Sequence, residues 1–204
     1  TVVDTTVGLN DPRGIVVDDA GNLYIADTNN HRIVKVDPDG NATVIAGMGL
    51  SGYSGDGGPA TAANLNTPQG IALDDDGNLY IADSRNNLIR QVDRNGLINT
   101  VAGNRKGGNT GDGGLATDAR LNKPAAVVIS ATGELYIADT KSSRIRTVDS
   151  DGIITKFAGL SRGYRGDGGP ATNAKLYWPL GLAFDKSGNA YIADTDNHRI
   201  RKID

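Results

Sequence analysis

Asp56, Asp112 and Asp167 each stand alone among glycines in three near-copies of one stretch: SGDGGPATAANL (Ser54–Leu65), TGDGGLATDARL (Thr110–Leu121) and RGDGGPATNAKL (Arg165–Leu176). A carboxylate in such a turn can accept hydrogen bonds from its own backbone N–H groups or donate one oxygen to a calcium ion. Calcium takes about six to eight oxygen ligands, so one carboxylate per loop favours turn capping. Asp18, Asp74 and Asp185 form a second set at D-x-x-G turns, with Ser130 in the corresponding place of the third copy. Turn capping accounts for them, and a cation held by this ring of carboxylates is the alternative. A third set, Asp27, Asp83, Asp139 and Asp194, follows a recurrent Tyr-Ile-Ala, and Arg32, Arg144 and Arg199 lie five residues beyond three of them. An Asp–Arg pair locking a hairpin is the expected role. Leu88 replaces the arginine in the second copy, which leaves Asp83 to another partner, with Arg85 the nearest.

The remaining catalytic inventory is thin. The chain has two histidines, His31 and His198, and no cysteine, so neither a three-histidine zinc site nor one completed by thiolate is available. No Ser–His–Asp spacing suggests a nucleophile. Gly47–Gly52 spells G-x-G-x-x-G, but no crossover helix follows and a dinucleotide site is not expected. Arg165-Gly166-Asp167 spells an adhesion tripeptide, yet its Gly-Asp belongs to the repeat, where Ser54 and Thr110 replace the arginine. No cofactor is implied.

These residues must be held by short, glycine-punctuated elements. Of 204 residues, 28 are glycine and 5% are aromatic, a composition that suits a turn-rich β protein. A net charge of −3 gives no global attraction to nucleic acid or membrane, and no apolar run reaches the roughly 18 residues of a membrane span. Prolines at 12, 68, 124 and 179 open four copies of one unit, near 12–47, 68–103, 124–159 and 179–204. Each unit reads as four short strands: a (GIVVD), b (NLYIAD), c (RIVKVD) and d (ATVIAG). Strand c breaks strict alternation, since Ile33 and Val36 are three apart; a bulge or burial on both faces would explain it. Antiparallel four-stranded units at this period are what the blades of a β-propeller require, each covering its neighbour's face.

The units PRGIVVDDAGNLYIADTNNHRI (Pro12–Ile33) and PLGLAFDKSGNAYIADTDNHRI (Pro179–Ile200) resemble NHL repeats, including the Asn-His-Arg-Ile ending at Ile33 and at Ile200. Asn86-Asn87-Leu88-Ile89 and Ser142-Ser143-Arg144-Ile145 are degenerate forms of the same ending. The resemblance implies an all-β propeller as a single domain over residues 1–204, and counting strands gives four blades, as a closed ring ahead of a part of a larger ring or a partner-completed one. The last copy lacks strand d, and TVVDTTVG (Thr1–Gly8) reads as the strand that closes the last blade.

Antiparallel order places the d–a and b–c connections on one rim, so the glycine-rich insertions and the hairpins should share a face. A non-catalytic scaffold presenting that face to a protein, peptide or carbohydrate partner is the expected function, with Trp178, Tyr177, Tyr53, Tyr164, Arg162 and Arg165 as contact residues. Tyr177-Trp178 is singled out because it breaks the repeat, where the other copies have Asn10-Asp11, Asn66-Thr67 and Asn122-Lys123. Two alternatives stand beside it. Ten basic residues of the same rim, Arg105, Lys106, Arg120, Lys123, Lys141, Arg144, Arg162, Arg165, Lys175 and Arg199, would suit RNA, and the resemblance also admits a lyase or hydrolase working in the channel.

Overall fold

The structure is a computed structural model that describes residues 7–204. Four antiparallel sheets follow one another along the chain as the blades of a propeller. Blade 1 is β1 (Pro12–Val17), β2 (Leu23–Asp27), β3 (Arg32–Val36) and β4 (Ala42–Ala46). Blade 2 takes β5 (Gly58–Pro59) from the insertion before it and adds β6 (Pro68–Leu73), β7 (Leu79–Asp83), β8 (Leu88–Val92) and β9 (Leu97–Ala102). Blade 3 is β10 (Ala126–Ile129), β11 (Leu135–Asp139), β12 (Arg144–Val148) and β13 (Ile154–Ala158); blade 4 is β14 (Pro179–Phe184), β15 (Ala190–Asp194) and β16 (Arg199–Ile203). Among the described residues no helix is long and apolar enough to cross a membrane.

Burial on both faces explains the third strand, and the bulge lies on its neighbour. The register of β3 against β4 slips between Ile33 and Val34, leaving Ile45 as an extra residue, and the same slip recurs at Ile89/Arg90 and Ile145/Arg146. Ile33, Val34 and Val36 are all buried. The extra residue sits on β4, while β3 pairs in unbroken register with β2, so ordinary alternation sends its side chains to both faces of the blade.

The core lies between blades rather than within them. Ala26, Ile33 and Ala46 on the trailing face of blade 1 pack against Ile71 and Ile81 on the leading face of blade 2. The pattern repeats with Ile89 against Val127, and with Ile145 against Leu182. The insertions complete these seams. Ala60, Ala63 and Leu65 are buried in the first, and Ala116, Ala119 and Leu121 in the second.

Only part of each insertion lies on the expected rim. Gly52, Gly108 and Gly163 offer their carbonyls to Asn86, Ser142 and Asn197 of the b–c hairpins. The middle of the first insertion instead turns outward, where β5 pairs with Leu97 and Ile98 at the start of β9. Blade 3 repeats the arrangement through Leu115 and Ile153. The strong twist of a blade swings its outermost strand toward the neighbouring blade, so the insertions lace successive outer edges together.

The strand expected to close the last blade, Thr1–Gly8, lies outside the described residues as far as Thr6. Val7 packs near Ile25 and Val34 of blade 1. The fourth sheet therefore has three strands among the described residues, and the blades at either end keep one face open. Ile15 is 67% exposed, whereas its counterparts Ile71, Val127 and Leu182 are at most 9% exposed; Ile200 is 69% exposed where Ile33, Ile89 and Ile145 are fully buried.

Candidate functional site

The lone aspartates of the insertions do not cap their own turns. Asp56 binds Nη2 of Arg90 at 2.5 Å, Asp112 binds Nη2 of Arg146 at 2.7 Å, and Asp167 binds Nη2 of Arg201 at 2.6 Å. Each arginine rises from the third strand of the following blade, and Arg90 and Arg146 are fully buried. The same guanidinium reaches inward to the aspartate ending the second strand: Arg90 to Asp83 at 3.6 Å, Arg146 to Asp139 at 3.7 Å and Arg201 to Asp194 at 3.3 Å. The expected hairpin pairs are thus corrected. Only Asp27 takes its hairpin arginine, Arg32, at 2.7 Å, because blade 1 carries Val34 where the others carry the buried arginine. Asp83 is held by Arg90 and Asn86, not Arg85.

Asp18, Asp74 and Asp185 are spent on their turns. Asp18 accepts the Asn22 backbone N–H at 2.8 Å, the Asn22 side-chain amide at 2.7 Å and the Tyr24 hydroxyl at 3.2 Å, and the other two repeat the set. Among the described residues no group of three His, Cys, Asp or Glu side chains could share a metal ion.

Burial makes the inner aspartates unusual acids. It pushes Asp83 up to about 6 and Asp139 up to about 7, against the pull of the donors around them. A carboxyl whose folded pKa is raised binds protons more tightly when folded, so it stabilises most at low pH and less as pH rises through the folded value. The urea midpoint is therefore expected to fall between pH 5 and pH 8, and Asp139→Asn should flatten that slope. Unfolding curves across this range check it, and a midpoint that climbs with pH would contradict the assignment.

The b–c hairpins and the residues entering each first strand bring a different set together. His31, Asn87, Ser143 and His198 all have φ between 53° and 58°, and Asp11, Thr67, Lys123 and Trp178 between 50° and 55°. Eight non-glycine residues in left-handed backbone, two per blade, gather on one rim; such strain persists only where the surroundings over-determine it, and it concentrates at binding sites. Cross-blade bonds hold the ring. The Thr67 N–H donates to Nδ1 of His31 at 3.1 Å, and the Lys123 N–H to Oδ1 of Asn87 at 2.9 Å. Partial burial and Arg85 hold the His31 imidazole below its usual range. The Lys123 ammonium is lowered chiefly by that of Lys141, then by burial and by Arg85, which makes these three a cationic group.

The six residues expected to make contacts divide. Tyr53 donates to Asp56 at 2.9 Å beneath the guanidinium of Arg105, 4.4 Å from its ring centre. Tyr164 donates to Asp167 at 2.5 Å beneath that of Arg199, at 4.0 Å. Both tyrosines thus brace an insertion. Arg162 stacks on Tyr177 at 4.0 Å and bonds its hydroxyl. Trp178 follows, 39% exposed, in the strained ring. The Arg165 side chain lies exposed on the outer insertion. Sequence reasoning missed the buried arginines and the grouping of Arg85 with two lysines. The arginines had left a signal, since Arg90, Arg146 and Arg201 occur only in copies that an insertion precedes.

The profile of the Teneurin NHL domain matches residues 36–108 and 105–165, and that of the NHL repeat matches residues 9–36 and 176–203. The chain is 32% identical to Teneurin-m of Drosophila melanogaster over 90% of its length and 8% of the relative's, and 29% identical to Teneurin-3 of Mus musculus over 90% and 10%. It thus spans about a tenth of these relatives. Among solved structures, it superposes with a TM-score of 0.79 at 22% identity on a Bacteroides thetaiotaomicron protein of unknown function, covering 98% of this chain and 48% of that one. An auxiliary nutrient binding protein from Bacteroides ovatus gives 0.73 at 24%, covering 96% and 48%. A virginiamycin B lyase from Staphylococcus aureus gives 0.58 at 17%, covering 94% and 55%.

Proposed function

The chain belongs to the NHL-repeat family, and on that footing we propose that it is a non-catalytic binding scaffold whose hairpin rim receives a protein, peptide or carbohydrate partner. One observation carries the reading. A tryptophan, the residue best suited to anchor a ligand through an apolar face and a polar edge, is 39% exposed and held at φ 50°, where a side chain of its size is strained. Nothing in blade packing asks for tryptophan there, since the equivalent places hold Asp11, Thr67 and Lys123. The Arg162–Tyr177 stack stiffens the segment that carries it. The nutrient-binding description of the Bacteroides relative is in keeping with a ligand site on such a scaffold.

Trp178 is the single tryptophan of the chain, so its fluorescence reports directly on the rim. Titration with panels of defined neutral and acidic oligosaccharides and short peptides is expected to give at least one saturable change. Arg162→Ala should weaken that ligand roughly tenfold, the effect of about 1.4 kcal/mol. Trp178→Gly should abolish binding without lowering the thermal midpoint, because glycine relieves the left-handed strain. No saturable ligand in the panels, or unaltered binding by Trp178→Gly in a calorimeter, defeats the reading.

The cationic group of Arg85, Lys123 and Lys141 favours a second reading, an anionic strand such as RNA. It requires binding that collapses steeply between low and moderate salt, measurable in the same titrations with a single-stranded oligonucleotide.

A further inference from the structure

Three seams inside the chain join a trailing blade face to a leading one in the same way. Each buries an isoleucine of the third strand against an aliphatic residue of the next first strand, as Ile33 meets Ile71. Polar joints accompany this. The Thr28 hydroxyl donates to the Pro68 carbonyl and that of Thr140 to the Pro179 carbonyl, both at 2.7 Å, and His31 accepts the Thr67 N–H.

The ends of the chain carry the two halves of a fourth seam. Ile200 is exposed on the trailing face of blade 4 and Ile15 on the leading face of blade 1. Thr195 corresponds to Thr28, but among the described residues its hydroxyl reaches only the Ala193 carbonyl of its own blade, at 3.2 Å. His198 stands where His31 does, in the same left-handed backbone. Pro12 and Asp11 offer the carbonyl and N–H equivalent to those of Pro68 and Thr67.

Gly181 adds an independent sign. A β-carbon at Gly14 would lie 2.2 Å from the Gln69 carbonyl oxygen, and one at Gly70 would lie 2.7 Å from that of Ala125, so the first two seams need glycine there for backbones to approach, whereas the third carries Ala126. At Gly181, the same position in blade 4, a β-carbon would meet only Ala193 of its own blade, at 3.3 Å. Gly181 thus matches the glycines of the first two seams, with no neighbouring first strand against it among the described residues.

We propose that two copies of the chain associate head to tail, the trailing face of each blade 4 on the leading face of the other copy's blade 1, to close one eight-bladed ring. The occupant must present a face of the kind that covers Ile71, and a second copy presents it at Ile200. A head-to-tail contact continues until it closes; two copies give eight blades, the upper end of the usual propeller range of about four to eight. The residues Val7 and Gly8 of one copy then arrive near the other's β16, beside a cleft of about 730 Å³ lined by Ile200, Arg201 and Ile203. Closure also completes the rim that carries the candidate binding site.

Sedimentation equilibrium of the 204-residue chain is expected to give twice its mass of 21.2 kDa. Ile15→Asp and Ile200→Asp, both at exposed positions, should each give a monomer with an unaltered far-ultraviolet circular dichroism spectrum. An equimolar mixture of the two variants should return to the dimer mass, because one junction then pairs two unmutated faces. A wild-type monomer at every concentration, which would assign the end faces to other blades of a longer polypeptide or to another protein, overturns the proposal. So does a dimer that Ile200→Asp leaves intact, or a mixture that stays monomeric.

Discussion

Replacing Arg90 by valine is expected to destabilise the protein by about 3–5 kcal/mol, the cost of leaving a buried charge without its partner. The thermal midpoint should fall by roughly 10 °C for a chain of this size. Arg90 is fully buried, binds Asp56 of the insertion at 2.5 Å and lies 3.6 Å from Asp83, itself fully buried. Valine would strand Asp83 and release the insertion from blade 2 together. The same replacement of Arg146 should cost distinctly less. Blade 1 shows how the site works with valine: Val34 fills the position and Asp27 takes Arg32 at 2.7 Å instead. Blade 3 has Arg144 at the place of Arg32, already 16% exposed at its side chain and 3.6 Å from Asp112, so it can turn to Asp139. Blade 2 has Leu88 there and no substitute. Thermal and urea unfolding of Arg90→Val and Arg146→Val measure the difference, and equal losses would refute this account.

That comparison also shows what the sequence made legible. The four blades were readable because Tyr-Ile-Ala-Asp recurs in register with turns that admit few alternatives, and the strands fall where the pattern places them. The aspartate pairing was misread in three copies because Arg85, Arg144 and Arg199 are nearer in sequence to their aspartates than Arg90, Arg146 and Arg201. Arg90 alternates with the buried Leu88 and Val92 along β8, and its own residue type does not announce an inward position. The outward course of the insertions was hidden for a related reason, since blade twist determines where an outer strand points. Ile15 and Ile200 expose a further limit. They sit in the same local sequence as buried counterparts, and only the arrangement of whole blades separates them. At the rim, Trp178 stood out by breaking the repeat, whereas the left-handed ring around it was invisible because Thr67 and Trp178 are not residues that announce a positive φ.

Gly103→Ala is the second replacement with a large expected effect, about 2–5 kcal/mol, from two causes that can be measured apart. Gly103 has φ +91°, where an L side chain costs about 1–2 kcal/mol. Its β-carbon would also lie 2.2 Å from the backbone oxygen of Asn87 and 3.1 Å from Cα of Leu88, so backbone must move, adding about 1–3 kcal/mol. Gly96, at φ +77° with nothing within 4 Å of a β-carbon, supplies the control: Gly96→Ala should show the first cost alone. The displacement has a direction. Asn87 holds the Lys123 N–H through Oδ1 at 2.9 Å and donates to the Arg105 carbonyl at 3.1 Å, so an intruding methyl pushes on the ring that seats the cationic group. Gly103→Ala should therefore weaken any ligand of the rim as well as the fold, whereas Gly96→Ala, in the turn between β8 and β9, should weaken the fold slightly and leave binding alone. Unfolding curves and rim titrations on the two variants test both halves, and a Gly103→Ala protein as stable as Gly96→Ala would show that the seam at Asn87 yields freely.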